Sequence, residues 1–133
     1  MMGPWLVAAG LNGMVAVAMG AGAAHGLRAR LDPAALSWIE TASRYQIWHA
    51  LALLGVALLL RRDGLGRHRR LAHAAGWAFL AGIVLFAGSL YLLALTDIRA
   101  LTWVTPLGGL ALIAGWAALV LLGVRCWRPP GEG

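Results

Sequence analysis

The sequence has no lysine and little charge of any kind. Charged residues make up 12% of its 133 positions, and only 5 of those are Asp or Glu. Soluble globular domains carry about 25% charge, so an ordinary water-exposed surface is excluded. Cysteine is limited to Cys126, which rules out an internal disulfide. The two histidines beside the apolar runs, His25 and His49, have no carboxylate or thiol within those runs to complete a donor set. That argues against a metal centre, and bis-histidine haem ligation is disfavoured with it. The same want of an intramembrane acid argues against a proton-coupled exporter. Gly64-Leu-Gly66 and Gly108-Gly109 lack a strand–helix setting, so phosphate-cradling loops are excluded.

What fills the space is hydrocarbon. Apolar residues reach 61% of the chain, against about 45–50% in soluble domains, and the mean hydropathy is +0.76. The net charge of +6 comes from 11 basic residues, all arginine. These arginines sit in short gaps between apolar runs, where anionic lipid headgroups account for them and nucleic acid does not.

The runs predict one integral membrane domain over residues 1–133, an all-α antiparallel bundle of four transmembrane helices. The spans fall at about residues 5–24, 45–60, 72–96 and 105–124, each close to the roughly 20 residues that cross a bilayer. No basic segment precedes the first run, so a cleaved signal peptide is disfavoured. Before the second span, Asp32-Pro33 reads as a helix cap followed by proline at the first helical position. A short interfacial amphipathic helix is expected there, with Glu40 and Arg44 one turn apart on its polar stripe. Thr105-Pro106 reads as a second cap-and-proline start, opening the last span.

Orientation follows from arginine counts. The side holding both termini and the loop at 61–70 carries Arg61, Arg62, Arg67, Arg69, Arg70, Arg125 and Arg128. The other side has only Arg28, Arg30, Arg44 and Arg99. Both termini are therefore expected in the cytoplasm, and the protein in the bacterial inner membrane. On that topology the hydrogen-bonding side chains His25, Tyr45, Gln46, His49, Ser89, Tyr91, Thr96 and Thr105 converge at the outer helix ends as a candidate polar pocket, with Asn12 apart from them near mid-helix. His25 and His49 are expected to share one hydrogen-bonded network. Small residues recurring four apart, with Gly20, Ala78, Gly82, Gly88, Gly109 and Gly115 the chief candidates, should let helix backbones approach.

Several stretches together carry a resemblance. They are Gly20-Ala-Gly-Ala-Ala-His-Gly-Leu27, Tyr45-Gln-Ile-Trp-His-Ala-Leu-Ala-Leu-Leu54, Gly82-Ile-Val-Leu-Phe-Ala-Gly-Ser-Leu-Tyr91, and Thr105-Pro-Leu-Gly-Gly-Leu110 with Ala114-Gly-Trp116. In this order they resemble the bacterial domain-of-unknown-function family 423, related to the eukaryotic transmembrane protein 256 group. The resemblance implies a small four-helix inner-membrane protein and no particular reaction. The expected role is that of a non-enzymatic packing protein, without cofactor, which touches membrane lipids and associates with itself or with a larger membrane complex. The competing expectation is a small-molecule, quinone or lipid binder or carrier using the outer polar pocket.

Overall fold

The computed structural model describes residues 2–127. Four long helices account for most of them: α1 (Gly3–Ala24), α2 (Pro33–Leu59), α3 (Arg69–Thr96) and α4 (Val104–Cys126). Two 3-10 turns, Asp63–His68 and Arg99–Trp103, join α2 to α3 and α3 to α4. By length and composition three helical stretches can cross a membrane: Gly3–Ala24, Leu65–Thr96 and Arg99–Cys126. The chain is thus an all-α membrane protein with several spans.

The helix boundaries have local causes. Asp32 caps α2, its carboxylate accepting from the Ala35 N–H at 2.9 Å, with Pro33 in the first turn, where a missing N–H costs nothing. No break follows at residue 45. The stretch expected as a separate interfacial helix continues into the apolar half as one helix of 27 residues, because nothing between Glu40 and His49 is a helix breaker. At α3 the chain stops at Asp97, whose left-handed φ of 52° turns the backbone away. Gly66 does the same in the α2–α3 connector with φ 44°, a conformation that costs glycine little. Thr105 is not a cap: α4 begins one residue earlier, and the Thr105 hydroxyl faces back to the Leu101 carbonyl at 3.4 Å.

Packing runs in chain order, α1 on α2, α2 on α3 and α3 on α4, with each neighbour antiparallel. No packed interface closes α4 onto α1, so the helices form an open array. Ile39, Leu53, Val56 and Phe79 are the largest fully buried side chains, placing the core between α2 and α3. Apolar side chains gain little by leaving lipid, so close backbone approach must hold the helices together. Along α3 and α4 that approach is a ladder. A methyl group at Gly115 would lie 2.5 Å from Phe79, one at Gly82 would strike Leu112, and one at Gly108 would strike the backbone of Phe86. Across the array, the Trp5 indole fills the space beside Gly76.

Of the glycines expected at these contacts, Gly82 and Gly115 take part and Gly20 sits against Ser43. Gly88 faces open space, and at Gly109 the nearest atom is Phe86 Cδ2 at 3.9 Å, the close contact falling to Gly108. Ala78 is only partly buried, and Ala74 is exposed. The reason is geometric. Successive four-residue steps drift by about 40° around a helix of 3.6 residues per turn, so a long four-residue stripe walks off the contact face. The α3 face that meets α4 instead runs through Phe79, Gly82 and Phe86.

Candidate functional site

The most continuous polar feature crosses three helices. Asn12 on α1 donates through Nδ2 to the Ala8 carbonyl at 2.9 Å. Gln46 Nε2 on α2 then donates to Asn12 Oδ1 at 3.0 Å, and the Tyr91 hydroxyl on α3 donates to Gln46 Oε1 at 2.8 Å. Gln46 is 5% exposed. Its amide uses one donor and one acceptor at once, so it fixes the rotation of both neighbours and ties α1 and α3 to α2. Such a chain would be costly half-made in an apolar setting. Here it is complete.

A second feature centres on His49. Its Nδ1 lies 2.7 Å from the Tyr45 carbonyl, and its Nε2 accepts from Trp116 Nε1 at 3.1 Å. An indole can only donate, so Nε2 must carry the lone pair. The neutral ring is therefore the Nδ1–H tautomer, donating back along its own helix. The Trp116 and Phe79 rings meet edge to face at 5.1 Å, and Phe79 and His49 lie 5.7 Å apart. Tyr45 packs its ring on Phe86 at 4.8 Å. Between α2 and α4 lies a lateral groove of about 660 Å³ whose walls include Tyr45, Trp48, His49, Phe86 and Trp116.

The remaining sites are smaller. Ser89 and Thr105 share a 2.7 Å contact between α3 and α4, and Ser89 also donates to the Phe86 carbonyl at 3.0 Å. Trp5 Nε1 donates to His73 Nδ1 at 3.0 Å, linking α1 to α3. Arg69 closes the end of α2 by donating to the Leu60 carbonyl at 3.0 Å. Among the described residues no buried side-chain nitrogen or oxygen lacks a partner. No group of three His, Cys, Asp or Glu gathers among them.

The structure brings together some residues of the expected polar pocket and separates others. Gln46 and Tyr91 do meet, as do Ser89 and Thr105, and Tyr45 lies beside His49. Thr96 is exposed and bonds the carbonyl of Leu92 in its own helix. His25 is exposed at the end of α1 and makes no side-chain hydrogen bond among the described residues, so it does not join His49 there. Because α2 begins at Pro33, His49 lies 16 residues into it, about 24 Å along the axis at 1.5 Å per residue. It therefore sits well inside the array, far from the helix ends. Asn12, set apart in the sequence, turns out to anchor the longest relay. Its signal was visible as a lone amide in a charge-free run, where an unpaired polar group is costly. The Trp5–His73 and His49–Trp116 pairs carry no spacing signal, being 68 and 67 residues apart.

A multi-helix membrane protein with a satisfied polar interior is the class these features define. Residues 19–109 match the family described as protein of unknown function (DUF423). The chain belongs to that family. It is 42% identical to a UPF0382 membrane protein of Haemophilus influenzae, covering 90% of this chain and 92% of that one. It is 40% identical to the UPF0382 inner membrane protein YgdD of Escherichia coli K12, covering 92% and 91%. A UPF0382 membrane protein of Staphylococcus aureus is 39% identical over 88% of this chain and 92% of its own. No solved structure matches the chain.

Proposed function

We propose that this is a non-enzymatic protein of the bacterial cytoplasmic membrane that works by packing against other proteins in the bilayer, as a homo-oligomer or a subunit of a larger complex. The observation that carries the reading is the open array. With no interface closing α4 onto α1, each of these helices keeps a side on which a helix of another chain can pack. The deep glycine contacts between α3 and α4 and the fully paired polar interior suit a scaffold better than a conduit. The naming of a relative as an inner membrane protein supports the location. Extraction into lipid-bearing polymer discs, followed by mass determination, tests the reading. A particle holding two or more chains, or this chain with another membrane protein, is expected. A single chain without a protein partner would refute it.

In this reading α2 is a fourth crossing. Its antiparallel packing between α1 and α3 supports that, as do the bonds from Gln46 to Asn12 and Tyr91 near its middle. Both termini then face the cytoplasm with the arginine-rich connector. Reporter fusions at the C-terminus and in the connector at 61–68 should both read cytoplasmic, and a periplasmic signal from either would reverse the orientation.

A second reading, a small-molecule, quinone or lipid binder, is favoured by the aromatic groove between α2 and α4. Mass spectrometry of the gently extracted protein distinguishes the two. A stoichiometric quinone or lipid on a monomer would select the binder.

A further inference from the structure

Basic side chains from two distant parts of the chain meet in one hollow at the connector end of the molecule. Arg67, His68, Arg70 and Leu71 line one wall and Arg125, at the end of α4, lines the other, around a space of about 440 Å³. The three arginines are exposed, while His68 and Leu71 are half-buried. In the connector Asp63 is the one acid, against Arg61, Arg62 and Arg67 and then Arg69 and Arg70 at the start of α3. The level of the hollow follows from α4. From Val104 to Arg125 that helix rises about 32 Å, close to the roughly 30 Å of a bilayer core. The Asp97–Arg99 ion pair, 3.4 Å long, precedes its start and marks the opposite surface. The hollow therefore sits where hydrocarbon gives way to headgroups.

Arginine at a helix end serves orientation alone. Three arginines around one hollow are different, because like charges gathered there repel unless an anion lies among them. Inward from the hollow the surface turns apolar and shallow. Leu71, Ala74 and Ala78 share one flank of α3. Arg125, Ala118 and Ala111, each seven residues or two turns from the next, share one flank of α4. Leu71 and Arg125 border the same hollow, so the two flanks adjoin. Ala74 is exposed and the other three alanines are half-buried, which leaves a trough along the α3–α4 seam. Trp116, nine residues from Arg125, stands half a turn round α4. The trough is thus separate from the aromatic groove between α2 and α4.

We propose that this hollow binds the headgroup of an anionic phospholipid carrying two phosphodiesters, with an acyl chain lying in the alanine trough. The inference goes beyond the packing reading and does not depend on it. Charge complementarity selects the occupant. A phosphodiester bears one negative charge, and an arginine fork matches it with two parallel hydrogen bonds. Arg67 and Arg70, three residues apart on one wall, take one phosphate, and Arg125 opposite takes the other. A headgroup with a single phosphate leaves one wall unmatched, and a zwitterionic one brings a further cation into the cluster. A soluble diphosphate shares the headgroup chemistry but makes no use of the trough. Basic pockets between helices at a membrane surface suit such lipids.

The test titrates the full chain, stripped of lipid in mild detergent, and counts bound molecules by native mass spectrometry. The salt is held near 0.15 M, where charges more than about 8 Å apart are screened. Cardiolipin should bind at one per chain and about tenfold more tightly than phosphatidylglycerol, with phosphatidylethanolamine weaker still. Pyrophosphate should not displace it. Arg67→Gln, Arg70→Gln and Arg125→Gln should each weaken cardiolipin about tenfold, the loss of a charge-assisted hydrogen bond. Arg62→Gln removes the same charge from the same end of the molecule but borders the hollows on the α2 side, and should leave the affinity unchanged. All four positions are exposed, so none of these variants disturbs the core. Equal affinity for cardiolipin and phosphatidylglycerol overturns the proposal. So does an equal loss in Arg62→Gln, full affinity in Arg125→Gln, or displacement by pyrophosphate, which would mark a site for a soluble anion. Each of these leaves the packing reading standing, since that reading is decided by the number of protein chains in the particle.

Discussion

Two adjacent glycines at the start of α4 give the sharpest test of how this protein is held together. A methyl at Gly108 would lie 2.7 Å from the Cα of Phe86 and 2.8 Å from the carbonyl carbon of Leu85. Ordinary contact begins near 3.4 Å and the Phe86 nitrogen is nearer still, so the α3 and α4 backbones would have to part by about 1 Å. No side-chain rotation can relieve it, because the obstacle is main chain. At Gly109 the nearest atom to such a methyl is Phe86 Cδ2 at 3.9 Å, an ordinary contact. Replacing helical glycine by alanine gains about 1 kcal/mol of intrinsic helix preference at either position. That gain cancels in the comparison, and the difference between Gly108→Ala and Gly109→Ala isolates the steric cost. Overpacking costs about 1–3 kcal/mol, and with backbone on both sides the upper end applies. Gly108→Ala should therefore be destabilised by about 2 kcal/mol net, and Gly109→Ala stabilised by up to about 1 kcal/mol. Reversible unfolding by titration with a denaturing detergent, followed by tryptophan fluorescence, measures both. Variants agreeing within about 0.5 kcal/mol, the usual range of neutral substitutions, would mean that α3 and α4 do not meet through this face.

Gly88→Ala provides a further control: with nothing within 4 Å of the added carbon, it should match or exceed the parent in the same titration, and a loss would reveal an unseen neighbour. Gln46→Leu strips both the Asn12 and Tyr91 partners and should cost about 1–3 kcal/mol. Combined with Tyr91→Phe, the total should fall short of the sum of the two single losses, whereas strict additivity would dissolve the relay. His49→Phe removes the acceptor of Trp116, so the parent's Trp116 indole N–H resonance should move on substitution, and an unmoved signal would deny the bond. His25→Ala should be near neutral and combine with His49→Ala additively within about 0.5 kcal/mol, because His25 is exposed and unlinked. A coupling above that would reconnect the two histidines.

The membrane character and the all-helical class could be read from the sequence because they depend on composition and run length, which are local. The Asp32–Pro33 start of α2 was legible for the same reason. Depth was not. Placing His49 requires knowing that residues 33 to 59 form one unbroken helix. The Asn12–Gln46 bond, a contact between residues 34 apart, sets α2 against α1 in a register that no spacing announces. The glycine contacts were half legible. Small residues announce close approach, but which of Gly108 and Gly109 meets α3 is set by the rotation of a whole helix. The polar groups follow a common logic that no single motif displays. Each buried donor or acceptor is met by a partner on another helix or by the carbonyl of a preceding turn. Because unpaired polar groups cost more where water is absent, these pairings fix the register of α1, α2 and α3 against sliding.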